Sequence, residues 1–222
     1  MSSSKFNKPI NRLLAALPEE EYLRLHPYLE PVQLPQHKIL YSAGEEYQYA
    51  YFPSHSIISS VRIMENGSTI EIGVIGNEGM VGIPIVLNTG YSNSTAIVQV
   101  GNGGYRIAAE HLREELNRQG ELQRLLMRYV QARIIQISQT AACNRFHTIE
   151  QRFSRWLLTV RDNIQKDEYQ LTHEFISQML GVRRTGVTEI AGKFQKAGII
   201  QYKRGSINIL SREKLEACTC EC

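Results

Sequence analysis

After Gly120 the sequence turns helical and stays so to Asn144, and this one run limits what the chain can fold into. Met127, Val130, Ile134, Ile137 and Ala141 recur at spacings of 3, 4, 3 and 4, a heptad seam. A second apolar row, Leu122, Leu125, Leu126 and Tyr129, lies on the same helix. At 1.5 Å per residue the run spans roughly 36 Å. Either both rows are core of a single chain, or one row packs on neighbouring strands while the other meets a second copy of the helix. The length favours the second arrangement, because so long a helix has little else to bury its far half.

The texture differs on the two sides of this helix. Leu13, Leu14 and Leu17 come first at helical spacing, and then PEEEYLRLHPYL. There Pro18 suits a first turn, Glu19 to Glu21 match the positive end of the helix dipole, and His26-Pro27 marks a stop. From Val32 to Arg106 short strand patterns alternate with turn signals. Ile70, Ile72 and Val74 alternate with Glu71 and Gly73, just after the hairpin signal Asn66-Gly67. Thr95–Val100 and Tyr105–Ala108 read as two more strands separated by residues 101–104. Such regular short strands predict a small antiparallel barrel or jelly roll. Beyond the long helix, residues 144–147 break the pattern. Thr148 then opens a new helix with capping-box spacing to Gln151, and Ile149, Phe153, Trp156, Leu157 and Val160 supply its buried side.

Charge divides at the same place. Residues 1–144 carry 12 Lys and Arg against 13 Asp and Glu, whereas residues 145–222 carry 13 against 9. A basic last third on a near-neutral front points to a polyanion partner for that third. The start, MSSSKFNKPINRLL, has no apolar core long enough for a signal peptide, and no run approaches a membrane span, so a cytoplasmic protein is expected. None of the cysteines falls in the first 142 residues, which argues against a secreted disulfide framework.

The most informative stretch is residues 171–210, LTHEFISQMLGVRRTGVTEIAGKFQKAGIIQYKRGSINIL. Thr172 is an N-cap, and Phe175, Ile176, Met179 and Leu180 form one face of a short helix that Gly181 breaks. Val187, Ile190, Ala191 and Phe194 turn a second helix inward at i, i+3, i+4 and i+7. Two helices joined by a glycine-containing turn make a helix-turn-helix. The strands IIQY and SINIL, joined at Lys203-Arg204-Gly205, add a wing. Arg183, Arg184, Thr185, Thr188, Glu189 and Lys193 project away from the apolar stripe, with the arginines at the end that meets base edges. Arginine there reads guanine through two parallel bonds worth roughly 1–3 kcal/mol of discrimination. Glu189 repels phosphate and suits a cytosine amino group or a neighbouring arginine. Gly186 costs the helix about 1 kcal/mol against alanine and suggests a close approach to the other helix or to DNA. With Thr172 and Arg204 added, these are the candidate DNA contacts.

Residues 171–210 resemble the winged helix of the Crp/Fnr family of bacterial transcription regulators, and the order upstream is similar too. The resemblance implies an α+β chain: a cyclic-nucleotide-binding-like jelly roll over 1–118, a dimerisation helix and hinge over 119–146, and a winged helix-turn-helix with a cysteine-containing tail over 147–222. It implies a homodimer on a roughly palindromic double-stranded DNA operator, with RNA polymerase as a further partner. The family's recognition motif commonly runs Arg-Glu-x-x-x-Arg; here Arg184-Thr185-Gly186-Val187-Thr188-Glu189 keeps only the first arginine, so the family's usual half-site is not expected.

In cyclic-nucleotide-binding relatives the stretch GNEGMVGIPIVLNTGYSNSTA, residues 76–96, would hold the phosphate. The family's Gly-Glu position falls on Asn77-Glu78 and its Arg-Ser position on Ser94-Thr95, so the arginine is missing. Residues 63–105 contain no Lys, Arg or His at all. A phosphate buried there lacks a counter-charge. The base-contacting hydroxyl position falls on Ile137, with Ser138 beside it. The pocket is therefore read as degenerate, no cofactor is assigned and the effector is left open. Fnr-type iron–sulfur sensing lacks its N-terminal cysteines, and His26 and His37 read as isolated histidines rather than haem ligands. Cys218, Cys220 and Cys222, with or without Cys143, are candidates for zinc, copper or oxidation, against the alternative of a reduced exposed tail. They have no matching histidine in the sequence reading, and no nucleophile–base pair or nucleotide loop supports an enzyme.

Overall fold

A computed structural model of the chain describes residues 9–222. Residues 1–8, on which the expected absence of a signal peptide partly rests, lie outside the described residues. No described helix is long and apolar enough to cross a membrane.

Helix α1 (Arg12–Ala15) is capped by Asn11, whose Oδ1 accepts from the amides of Leu13 and Leu14. Its side-chain amide donates to the carbonyls of Pro53 and Gly79, both at 2.9 Å, which pins the first helix to the strands. Helix α2 (Glu19–Leu25) carries its three glutamates in the first turn and gives way to a 3₁₀ turn at His26–Tyr28. The strands follow: β1 (Glu30–Leu34), β2 (Ile39–Tyr41), β3 (Tyr49–Pro53), β4 (Ile57–Ile63) and β5 (Thr69–Ile75), then the short α3 (Ile83–Val86), β6 (Thr95–Val100) and β7 (Asn102–Ala108). They form two antiparallel sheets, ordered β1-β7-β3 and β2-β6-β4-β5, which make the expected roll.

One expectation needs correction here. Residues 102–104 belong to β7 rather than to a loop, and Gly101 alone links β6 to β7. The two strands lie in different sheets, so the link only has to hand the chain from one sheet to the other. A Cβ on Gly104 would stand 2.5 Å from the Phe52 carbonyl oxygen, so the glycine is required by close strand packing.

Helix α4 (Ala109–Leu116) leads into α5 (Glu121–Phe146), the long helix. Glu21 caps its start, accepting from the amides of Glu121 and Leu122 at 2.8 Å. Leu122, Leu126 and Tyr129 are buried in the roll's core, with Leu125 packed against it. Met127, Ile134 and Ile137 of the heptad row are 42%, 54% and 39% exposed. Ala141 is exposed too, and Val130 is half-buried.

Helix α6 (Ile149–Ile164) opens with the expected capping box of Thr148 and Gln151. After it come β8 (Glu168–Gln170), α7 (His173–Leu180), α8 (Arg184–Lys196), β9 (Ile200–Lys203), β10 (Ser206–Ile209) and α9 (Arg212–Glu216). The wing is a three-stranded sheet, β8-β10-β9, whose first strand was not expected from the sequence.

The second core cluster joins the two halves of the chain: Ile57, Val61 and Val74 of the roll pack with Phe153, Trp156, Met179 and Leu180. Strict alternation along β5 would set Glu71 on the opposite face from Val74. Pairing with β4 instead skips Ile72, passing from Ser60–Gly73 to Val61–Glu71. This bulge puts Glu71 on the same side as Val74, where its Oε1 accepts from Trp156 Nε1 at 3.1 Å. Burial pushes the Glu71 carboxyl up to about 7, opposed by hydrogen bonds from Ser59 and Trp156 and by the charges of Arg155 and Arg133.

An acid whose proton is held more tightly in the folded chain contributes stability below its unfolded pKa, and that stability is lost as pH rises through the folded value. Glu71 should therefore cost the fold up to about 3 kcal/mol between pH ~4.5 and pH ~7. Urea unfolding at a series of pH values is expected to show Glu71→Gln flattening the decline seen in the wild type across that window.

Candidate nucleic-acid interface

Thr172 caps α7, its hydroxyl accepting from the Phe175 amide at 3.1 Å. Gly181 ends that helix in the left-handed region at φ 63° and ψ 41°, and the Val182 amide returns to the Ser177 carbonyl at 3.0 Å. A Cβ on Gly181 would also meet Ile70 Cδ1 at 2.9 Å, so the β4–β5 hairpin rests on the turn between the two helices. Arg183 is the N-cap of α8 rather than its first residue. Val187, Ala191 and Phe194 anchor the inner face, and Phe194 stacks on Phe153 of α6.

The outward side chains divide by their partners. Arg183, Arg184 and Thr185 are exposed at the N-terminal end of α8. Arg204 sits at the tip of the wing at φ 51°, followed by Gly205 at φ 81°, a two-residue hairpin turn. Among the described residues, the side chains of Arg183, Arg184 and Arg204 make no hydrogen bond or ion pair. Two other arginines of the same region are committed: Arg161 pairs with Asp162 and Asp167, and Arg212 with Asp162 and Glu216. Lys193 is committed as well, with Nζ 2.6 Å from Glu150 on α6. Glu189 is exposed beside the free arginines. Gly186 is not demanded by packing, since an added Cβ would find Ile149 Cδ1 at an ordinary 3.7 Å.

Sequence reasoning missed His173. Its Nδ1 lies 3.0 Å from Thr188 Oγ1, and its ring stacks on Tyr202 of β9 with centroids 4.0 Å apart. Thr188 also donates to the Arg184 carbonyl at 3.0 Å. Burial first, and the charge of Arg184 second, hold the His173 imidazole below the usual histidine range. His173 thus ties α7 to the wing by its ring contact and to α8 by its hydrogen bond with the Thr188 hydroxyl. The signal was a histidine just after an N-cap, too short to distinguish from a surface residue.

Within the roll, a cavity of ≈ 440 Å³ lies between β5, the stretch 80–94 and α5. Ser94 and Ile137 line it; Asn77, Glu78, Thr95 and Ser138 do not. The Glu78 carboxylate instead turns back to accept from the Gly76 amide at 2.9 Å. Although residues 63–105 carry no cation, the long helix supplies one. Arg133 is buried on the cavity wall, donating through Nη1 to the Val74 carbonyl at 2.6 Å and also to Gln136. A guanidinium arriving from the long helix, well downstream of residues 76–96, could not be read from the loop's own sequence.

The cysteine reading also changes. Cys220 and Cys222 lie with Cys143 and His147, whereas Cys218 packs against the second core cluster. The histidine that the sequence reading found lacking is thus present, one turn beyond Cys143 on the end of α5.

Residues 151–218 match the Crp-like helix-turn-helix domain family. No sequence among the curated proteins matches the chain. Solved structures share its fold over most of their length. A transcriptional regulator of the Crp/Fnr family from Eubacterium rectale superposes with a TM-score of 0.71 at 16% identity, covering 93% of this chain and 97% of its own. FixK2 from Bradyrhizobium japonicum gives 0.73 at 14% identity, covering 87% and 98%. CLP of Xanthomonas campestris, a c-di-GMP-responsive global regulator, gives 0.72 at 11%, covering 87% and 100%. The chain therefore carries a Crp-like helix-turn-helix domain on the fold of Crp/Fnr-type transcription regulators.

Proposed function

We propose that this protein is a DNA-binding transcription regulator, not an enzyme, that acts as a homodimer on a roughly palindromic operator, with the helix at 183–196 in the major groove. The observation that carries the reading is the set of three exposed guanidiniums, unpartnered among the described residues, at the start of α8 and on the wing tip, in a region where Arg161 and Arg212 are ion-paired. A free guanidinium breaks no ion pair to reach a phosphate or a guanine, so its full interaction goes to the partner. Lys193 and Thr188, already engaged within the protein, contribute less to contact than the arginines and Thr185 do. Base preference is assigned to Arg183, Arg184 and Glu189, and phosphate binding to Arg204 and the Thr172 end of α7. RNA polymerase is a further partner of this reading, and the expected domain limits of 1–118, 119–146 and 147–222 are kept with it.

Selection of bound DNA from a random pool should yield a palindromic winner with no effector added, bound less tightly as salt rises. Arg184→Ala should lose roughly 1–3 kcal/mol of preference at one base pair of each half-site. Arg204→Ala should weaken all sequences alike. Equal effects of the two substitutions on preference would reject this assignment.

The exposed row of α5 supports dimerisation, because Met127, Ile134 and Ile137 form an apolar stripe continuous with Val130 and Ala141. Ile134→Asp is expected to shift sedimentation from dimer to monomer while leaving the circular dichroism spectrum unchanged.

The roll's cavity is assigned no cyclic nucleotide. Arg133, the cation on its wall, is anchored through Nη1 to the Val74 carbonyl and the Gln136 side chain, so its guanidinium already serves protein oxygens that a phosphate would compete with. Calorimetry with cyclic AMP and cyclic GMP is expected to show no heat of binding at micromolar concentrations; saturation there would reverse the assignment.

A further inference from the structure

We propose that Cys143, His147, Cys220 and Cys222 form a tetrahedral zinc site that fastens residues 217–222 to the end of the long helix. One ligand atom from each residue lies within 4.8 Å of every other. The finer geometry fits a metal better than a disulfide. Zn–S bonds of about 2.3 Å and Zn–N bonds of about 2.0–2.1 Å set tetrahedral edges of roughly 3.8 Å between two sulfurs and roughly 3.6 Å between sulfur and nitrogen. Cys143 Sγ and Cys220 Sγ are 3.7 Å apart, and Cys222 Sγ is 3.5 Å from His147 Nδ1. A disulfide requires sulfurs at about 2.05 Å.

The surroundings fit a metal as well. With Nδ1 turned to the sulfurs, His147 Nε2 faces the Glu221 carboxylate at 3.2 Å, the carboxylate–histidine–metal arrangement that fixes a ligating ring. Gln139 Nε2 donates to Cys222 Sγ at 2.9 Å, a bond that favours a thiolate there. Three thiolates and a neutral imidazole around Zn²⁺ carry a net charge of −1, with three protons released to solvent on binding. Arg152 and Arg155 of α6 act electrostatically on Cys143 and offset that charge. Soft sulfur donors in a four-ligand set select zinc over magnesium or calcium.

The donors come from both sides of the joint between α5 and α6. Cys143 and His147 end the long helix, and His147 is its C-cap. Cys220 and Cys222 follow α9, which packs on the winged-helix core through Leu215. Bound zinc therefore bridges the helix that leads into the joint and the chain that leaves the far side of the winged helix.

The test uses the full chain, purified under reducing conditions, exposed to Zn²⁺ or Co²⁺ and desalted. Wild type is expected to retain about one metal per chain, and the Co²⁺ form to show the intense visible absorption and thiolate charge-transfer bands of tetrahedral sulfur coordination. Cys222→Ser and His147→Gln, both at partly exposed positions, should lose at least roughly tenfold in affinity measured against a chromophoric chelator. Cys218→Ser should bind as the wild type does. The proposal is wrong if wild type retains no metal, if the Co²⁺ spectrum is weak and octahedral, if Cys218→Ser loses metal as Cys222→Ser does, or if mass spectrometry of the reduced preparation finds Cys143 and Cys220 disulfide-linked.

Discussion

A four-stranded sheet only seven residues wide at its longest strands has to satisfy two cores at once, and the arrangement of every other part depends on it. Ile58 and Ile75 face the roll and the long helix, while Ile57, Val61 and Val74 face the helix-turn-helix. Each such aliphatic side chain contributes roughly 1.5–3 kcal/mol when fully buried. The price is that Glu71 goes into the dry face with them. Its Oε1 accepts from Trp156 Nε1, so this buried carboxyl also fixes how the tryptophan is turned.

Because the sheet is covered this way, the helix-turn-helix is positioned by packing rather than by a linker. Ile70 reaches the left-handed glycine of its turn, and the hairpin tip at Gly67–Thr69 flanks the cleft that Arg183 and Arg184 line. The outer surface is organised by charge instead. Arginines that steady the domain are matched with Asp162, Asp167 and Glu216, while those at the start of α8 and on the wing are left unmatched. One residue type thus divides into members held in ion pairs and members left open at the surface.

What the sequence disclosed follows the range of the interactions concerned. The capping box at Thr148 and Gln151, the Thr172 cap, the turn at Asn66-Gly67 and the stop at Gly181 are decided within a few residues, and each is legible there. The amphipathic rows of α5 are legible for the same reason. Glu71 is not, because one skipped residue in the pairing of β5 reverses the side it faces. Arg133 and His147 are equally hidden, since each acquires its meaning from partners that the chain brings in from 59 and 74 positions away. The link at residues 101–104 was misread because glycines that serve close strand packing look like glycines that serve a turn.

The pairing of β1 with β7 also has a consequence for how the molecule is made. Glu30 and Arg106, joined by an ion pair across that ladder, are 76 positions apart. On the ribosome the first strand therefore waits, unpaired, until the roll's last strand has emerged. The sheet face carrying Ile57, Val61 and Val74 waits longer still, because its cover is made of residues beyond 149. A chain that has emerged only as far as the long helix therefore leaves those aliphatic side chains without their cover.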